Sequence, residues 1–449
     1  MQKSHPERTL SLAQLGISPQ TLRRIAFGCG FCVRRSGKIK ASDVLIHMCI
    51  ESTKGTVSYN DMAARIERCT GVGISRQAYW ERCDETCVLL FQQVLACVID
   101  SKCRAGKEFA GELITAGAYP RILLQDSTII QLPARLFTLF SGVKNAATTV
   151  CNARIQCVYD LKAGTFVKFT IDPYSKNDLR ATLEIDLNPG DLVLRDRGYF
   201  TLEAIRKHIE ASAHCVCRYK HKTALFDPRT AAPIQLLELL RRNRALDMEV
   251  MLGTTENLKL RLIAAPIDEE TANLRRMRAR KQMKGHAPSQ DLLDLMSWSI
   301  FLTTIDDPAV GFQQILGLYG LRWRIENIFK TWKSNFNFAK IHRVSEPQLR
   351  VLLTARFIMI VVLYQNLFLP LTRLVHASSG RVLSLMKFMR YITRNLTRIP
   401  EMMNCTNLES GLFRALRLYC VYDKRKRPNF ATQTQCLLAE IDLLTRPLA

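Results

Sequence analysis

Tyr319, Arg322, Glu326, Lys330 and Lys333 are spaced at steps of three, four, four and three. On a helix those steps hold five polar side chains along one stripe. One carboxylate then lies in a row of cations and a phenol. Such a stripe is either a solvated salt-bridge face or a place that handles phosphate and metal together. Two more acids close apolar runs: Asp126 in Arg121-Ile-Leu-Leu-Gln-Asp126, and Asp196 in Asp191-Leu-Val-Leu-Arg-Asp196. Acids at the carboxyl ends of strands project into a crevice. A lone strand-end Asp is often a turn residue, so the set of three matters more than any member. Carboxylates brought together repel, and a divalent cation is the simplest reason to assemble them. Hard oxygen donors suit magnesium, or manganese as a substitute. Two such ions support in-line displacement at phosphorus. Arg322, Lys330 and Lys333 are then placed to neutralise DNA phosphates, and Tyr319 to hydrogen-bond one.

The elements that must position these residues form an α/β pattern. Leu318, Leu321, Ile325, Ile328 and Phe329 give the Glu326 helix an apolar side. Strands are expected at Arg121–Asp126, Ala153–Tyr159, Phe166–Ile171, Asp191–Asp196 and His214–Tyr219. Helices are expected over Asn177–Ile185 and Leu202–Glu210, the second capped by Thr201. Residues 221–314 read as a β-rich insertion. Its cations Arg275, Arg276, Arg278, Arg280, Lys281 and Lys284 are expected in an exposed loop between strands at Leu258–Ala264 and Ser297–Thr304. The flanks are helical and basic. In the first, Ser58 and Ser75 can cap two helices around a Gly turn, the outline of a helix-turn-helix over 56–83 and equally of any short helix pair. Beyond 346, helices are expected at Gln348–Leu369, Ser384–Asn395 and Gly411–Leu418. Lys424–Arg427 reads as a solvated turn.

Composition sets the partner. The 449 residues carry 64 Lys and Arg against 40 Asp and Glu, a formal charge of +24, which points to a polyanion, with nucleic acid first. Fifteen scattered cysteines and the lack of a secretory signal fit a reducing, cytoplasmic setting. Cys29/Cys32 and Cys83/Cys87 lack a second pair at zinc-site spacing. The apolar run Phe357–Leu363 is too short to span a bilayer and is expected to be a buried helix, so no membrane partner is expected.

The Tyr-x2-Arg-x3-Glu-x6-Lys spacing resembles the signature of bacterial insertion-sequence transposases of the insertion-sequence-four type. Asp126-Ser-Thr, Asp196-Arg-Gly-Tyr and the stretch Ala153–Gly164 are similar to further parts of that family, and the likeness covers roughly residues 120–345. The resemblance implies a ribonuclease H-like catalytic core interrupted by the β-rich insertion. The corresponding division is 1–112 for DNA binding, 113–220 and 315–345 for the core, 221–314 for the insertion, and 346–449 for a helical region with a possible role in dimerisation. It implies cut-and-paste transposition through a hairpin intermediate, with Asp126, Asp196 and Glu326 as catalytic and metal-binding acids. Double-stranded DNA, both terminal repeats and target, is the implied partner, with a homodimer in the synaptic complex. Arg218 resembles a phosphate contact of the family, and Trp298 and Trp323 occupy places where tryptophans handle a flipped base. A DNA-binding derivative without catalysis, or a nuclease without strand transfer, are the competing functions.

Overall fold

The computed structural model describes residues 10–34, 38–53, 58–108, 118–144, 149–181, 185–253, 257–282, 287–338, 341, 344–395, 399, 411–423 and 430–445. Helices come first: α1 (Leu12–Leu15), α2 (Pro19–Gly28), α3 (Ala41–Ser52), α4 (Tyr59–Thr70), α5 (Arg76–Glu81) and α6 (Glu85–Glu108). A mixed segment follows: β1 (Ile122–Leu132), β2 (Ser141–Lys144), β3 (Thr149–Asp160), β4 (Thr165–Pro173), α7 (Asp178–Ala181), β5 (Leu192–Arg195), α8 (Leu202–Glu210) and β6 (His214–Arg218). Next are β7 (Leu225–Phe226), α9 (Leu236–Asn243), β8 (Leu246–Leu252), β9 (Leu258–Pro266), α10 (Glu269–Gln282), α11 (Gln290–Leu295) and β10 (Trp298–Thr303). The chain ends in helices α12 (Phe312–Leu321), α13 (Trp323–Asn335), α14 (Glu346–Leu363), α15 (Leu369–Ser379), α16 (Leu385–Arg394), α17 (Gly411–Tyr419) and α18 (Phe430–Thr445).

These elements form two compact units. One comprises 1–115, 127–176 and 325–431; the other comprises 116–126, 177–324 and 432–449. Strand β1 and helix α13 each run from one unit into the other, changing at Asp126/Ser127 and Arg324/Ile325.

In the second unit, β1, β5 and β6 pair in parallel, and β10, β9, β8 and β7 extend the sheet antiparallel. The burial pattern of β5 is continuous, as a strand covered on both faces requires. Its register with β1 is set by an ion pair at the start of both strands. Arg121 Nε donates to Asp191 Oδ1 at 2.9 Å, and Asp191 is fully buried. One residue later Ile122 faces Leu192, and the ladder continues to Gln125 opposite Arg195. The apolar residues of β6, β8, β9 and β10 build one core with Leu236 and Leu240 of α9.

In the first unit, β3 pairs antiparallel with β2 and β4, and the later half of β1 is its neighbour. Helix α14 is apolar all round and its residues 351–363 are buried throughout, as a helix at the centre of a core requires. Its Arg356 is wholly buried, donates Nε to the Ser52 carbonyl at 2.7 Å, and burial pushes its pKa down to about 10. The run Glu346–Ser379 is long and apolar enough to cross a membrane, but 89% of its most apolar window is buried within the protein. Trp332 of α13 packs into an aromatic cluster with Phe166, Phe169, Phe338 and Phe357.

Four local expectations are corrected. The run ending at Asp126 continues as strand to Leu132, because Thr128, Ile130 and Leu132 keep alternate burial going. The helix carrying Glu326 is broken, with Arg322 standing between α12 and α13. The helix placed at Asn177–Ile185 is seen only over Asp178–Ala181, and Ile185 is not helical; 182–184 lie outside the described residues. The cationic loop is a helix: Glu269 and Glu270 open α10 and Arg280 and Lys281 close it, charges that match its dipole. Lys284 and Lys424–Arg427 lie outside the described residues.

Candidate active site

Extending the β1–β5 register by one residue puts Asp126 beside Asp196. Asp196 keeps extended backbone, φ −72° and ψ 161°, before the 3-10 turn Arg197–Tyr199. In parallel strands, registered residues point to the same face, so the two aspartates leave neighbouring strands, ~4.8 Å apart, on one side. Gln125 and Arg195, the preceding pair, face the opposite side and are buried. Gly198 lies beneath α7: a Cβ there would meet the Asp178 carboxylate at 3.4 Å.

The groups around this pair are cationic or hydrogen-bond donors. Arg322 Nη1 lies 3.6 Å from Asp126 Oδ2, with both side chains largely shielded. The Tyr319 hydroxyl donates to Asp196 Oδ1 at 3.4 Å. Burial pushes the Tyr319 pKa up to about 12, against the pull of Arg322, so the phenol remains a proton donor at ordinary pH. Two guanidinium groups approach the Tyr319 ring, Arg218 at 5.8 Å and Arg322 at 5.6 Å. Arg322 also lies 5.6 Å from the Trp323 ring, which is 58% exposed.

Asp126, Asp196, Arg218, Tyr319, Arg322 and Trp323 therefore come together within the second unit. Glu326 is half-buried in the first turn of α13, four residues past Arg322, in the other unit. Lys330 and Lys333 follow it on α13 and are exposed, and partial burial pulls the Lys333 ammonium pKa down. Trp298 stands apart. It lies three residues along β10 from Phe301, the partner of Arg218, and packs against the core that β6, β8, β9 and β10 build with α9. Its indole N–H donates to the Arg244 carbonyl at 2.8 Å, and its own carbonyl accepts from Arg275 at 3.0 Å.

Hard-oxygen donors side by side fit a divalent cation such as magnesium. Among the described residues no group of three or more His, Cys, Asp and Glu is assembled to hold a metal. By themselves the two aspartates would make only part of such a donor set. Sequence reasoning missed three supports. Arg121–Asp191 fixes the register; Arg154 Nη1 donates to Ser127 Oγ at 2.9 Å, holding the residue after Asp126; and Arg275 and Arg276 of α10 brace the start of β10. An arginine within the expected strand 153–159 was the legible signal for the second.

Residues 119–362 match the family model described as the transposase DDE domain. The chain belongs to that family and is a transposase. More narrowly, it is a bacterial insertion-sequence DDE transposase. It is 26% identical over 376 residues to the transposase for insertion sequence element IS231B of Bacillus thuringiensis subsp. berliner, covering 78% of each chain. To the IS231D transposase of B. thuringiensis subsp. finitimus it is 27% identical over 386 residues, 80% of each chain. To the IS1151 transposase of Clostridium perfringens it is 23% identical over 354 residues, 74% of each. A cryo-EM structure of the piggyBac transposase synaptic complex with hairpin DNA aligns with a TM-score of 0.44 and 11% identity, over 93% of this chain and 86% of that one.

Proposed function

We propose that this transposase cuts DNA at the ends of its insertion sequence and joins the freed 3′-hydroxyls to target DNA by a cut-and-paste route. Asp126, Asp196 and Glu326 are its catalytic carboxylates. The observation that carries the proposal is the β1–β5 parallel register, whose next step sets Asp126 beside Asp196, with Arg322 near Asp126 and Tyr319 bonded to Asp196. Two acids on one face, beside an arginine and a protonated phenol, suit an anionic substrate and a cation together.

The aspartates and Glu326 would hold magnesium, or manganese in its place, which supplies Lewis-acid charge to the reacting phosphate. Arg322 offsets negative charge beside Asp126 and remains cationic toward a phosphate oxygen. Tyr319, held protonated, fixes Asp196 by its hydrogen bond. Lys330, Lys333 and Arg218 contact the DNA backbone. Trp323, exposed and backed by Arg322, is the surface on which an unstacked base rests during a hairpin step. The anchored Trp298 is assigned to holding β10.

The strand order β4-β3-β1-β5-β6, with β5 and β6 parallel to β1, supports a ribonuclease H-like core over 113–220 and 315–345. Strands β7–β10 then form the insertion, 221–314. Helices α4 and α5, capped by Ser58 and Ser75, are the proposed end-reading pair within 1–112. Residues 346–449 are assigned to pairing two copies in the synaptic complex.

The test uses supercoiled DNA carrying the element's own ends, with magnesium, with manganese and with chelator. Metal-dependent end cleavage followed by joined products is expected. Cleavage without joining would leave a nuclease, and bound but unbroken DNA would leave a DNA-binding derivative.

A further inference from the structure

We propose that a pocket at the far end of the Glu326 helix is a second binding site for backbone phosphate of DNA, separate from the acid pair. The inference rests on the transposase chemistry above. The pocket has a volume of about 330 Å³ and lies entirely within the first unit. It is lined by Thr53, by Ser334, Asn335 and Asn337 at the end of α13, and by Arg390 and Arg394 on α16. Arg390 and Arg394 are one helical turn apart, so their guanidinium groups share a face. Neither guanidinium group has an ion-pair or hydrogen-bond partner among the described residues, and no carboxylate is among the described lining residues.

Arginines in the last turns of a helix often serve only its negative end. Here other groups already do so. Asn395 donates from its side chain to the Tyr391 carbonyl at 2.8 Å and from its backbone to Ile392 at 2.9 Å, closing α16. Asn335 and the Phe336 amide do the same for α13, donating to the Thr331 and Trp332 carbonyls at 2.9 and 2.8 Å. Two cationic forks are therefore left facing a cavity with the Ser334 hydroxyl and the Asn337 amide, a donor set that matches phosphate oxygens. Asn337 holds its place with a φ of 52°.

Placement favours nucleic acid over a free anion. Ser334 directly follows Lys333 on α13. Asn335, nine residues past Glu326 at about 1.5 Å per residue, lies about 14 Å further along the axis. Lys330 and Lys333 bridge that interval and are exposed. A DNA strand following the helix from Glu326 would pass the lysines and reach the two arginines.

The site is tested with full-length protein, a short duplex of arbitrary sequence, and titration of salt between about 50 and about 200 mM. Arg390→Ala and Arg394→Ala are each expected to lower the slope of log K against log salt by about 0.9, the value for one lost phosphate contact. Both side chains are exposed, so thermal melting should match wild type. Unchanged affinity and slope in both variants overturns the inference alone. A wild type with no salt-dependent duplex binding overturns it together with the reading on which it rests. In a parallel arm inorganic phosphate is titrated by calorimetry. Phosphate binding that is lost in the variants while duplex binding stays intact overturns the DNA assignment in favour of a free anion.

Discussion

Trp298 and Trp323 have the same side chain in opposite settings, and their substitutions should separate. Trp298 packs on the core of β6, β8, β9 and β10 and donates its indole N–H to the Arg244 carbonyl. Trp298→Ala should cost about 3 kcal/mol of stability, read by denaturant unfolding. Trp323 is 58% exposed. Trp323→Ala should leave unfolding within about 0.5 kcal/mol of wild type while slowing the step that follows first-strand cleavage. Equal destabilisation by both would contradict the assignment. Tyr319 makes a subtler case, since its 3.4 Å bond to Asp196 is long. Tyr319→Phe should reduce cleavage about tenfold, the worth of one modest hydrogen bond, without weakening end binding. A variant as fast as wild type would show that the phenol does not steady Asp196.

At the scale of elements, much of the fold was legible because local chemistry agreed with the packing. Thr201 caps α8 over Leu202–Glu210 as its sequence demands, and Ser58, Ser75 and Ser384 likewise accept hydrogen bonds at helix starts. The apolar runs around Leu192–Arg195 and His214–Arg218 could only be strands buried on both faces. What failed depended on contacts distant in sequence. The register that aligns Asp126 with Asp196 comes from an ion pair seventy residues apart. The basic run after Glu269 reads as a loop in sequence, whereas Arg275 and Arg276 bond across to Trp298, Ser299 and Ser297 from a helix. Behind the acid pair, α8 packs a histidine that no motif revealed. His208 is 1% exposed, and its Nδ1 donates to the Ala204 carbonyl at 2.6 Å. Burial, with Arg195 nearby, pulls its pKa down from 6.5 to about 4. A depressed histidine favours the neutral folded form, so its contribution is present above pH 6.5 and is lost as pH falls from there through 4. Wild type should lose about 3 kcal/mol more than His208→Gln across that window. Parallel pH profiles for the two in urea unfolding would contradict the buried, neutral histidine.

Across the whole molecule, the +24 charge and the acid pair serve different steps. On the proposed function the cations hold a polyanion without regard to its sequence, and the carboxylates act only at the bond being broken. Binding and chemistry are therefore separable, and the proposed site requires Asp126, Asp196 and Glu326 to act as a set. The most direct measurement compares end binding and end cleavage, in magnesium, for wild type and for Asp126→Ala, Asp196→Ala and Glu326→Ala. All three variants should bind the element's ends as wild type does, and each should lose cleavage by at least about a thousandfold. A variant that still cleaves at close to the wild-type rate would remove that acid from the site. If that variant were Glu326→Ala, the third carboxylate would have to be sought elsewhere in the chain.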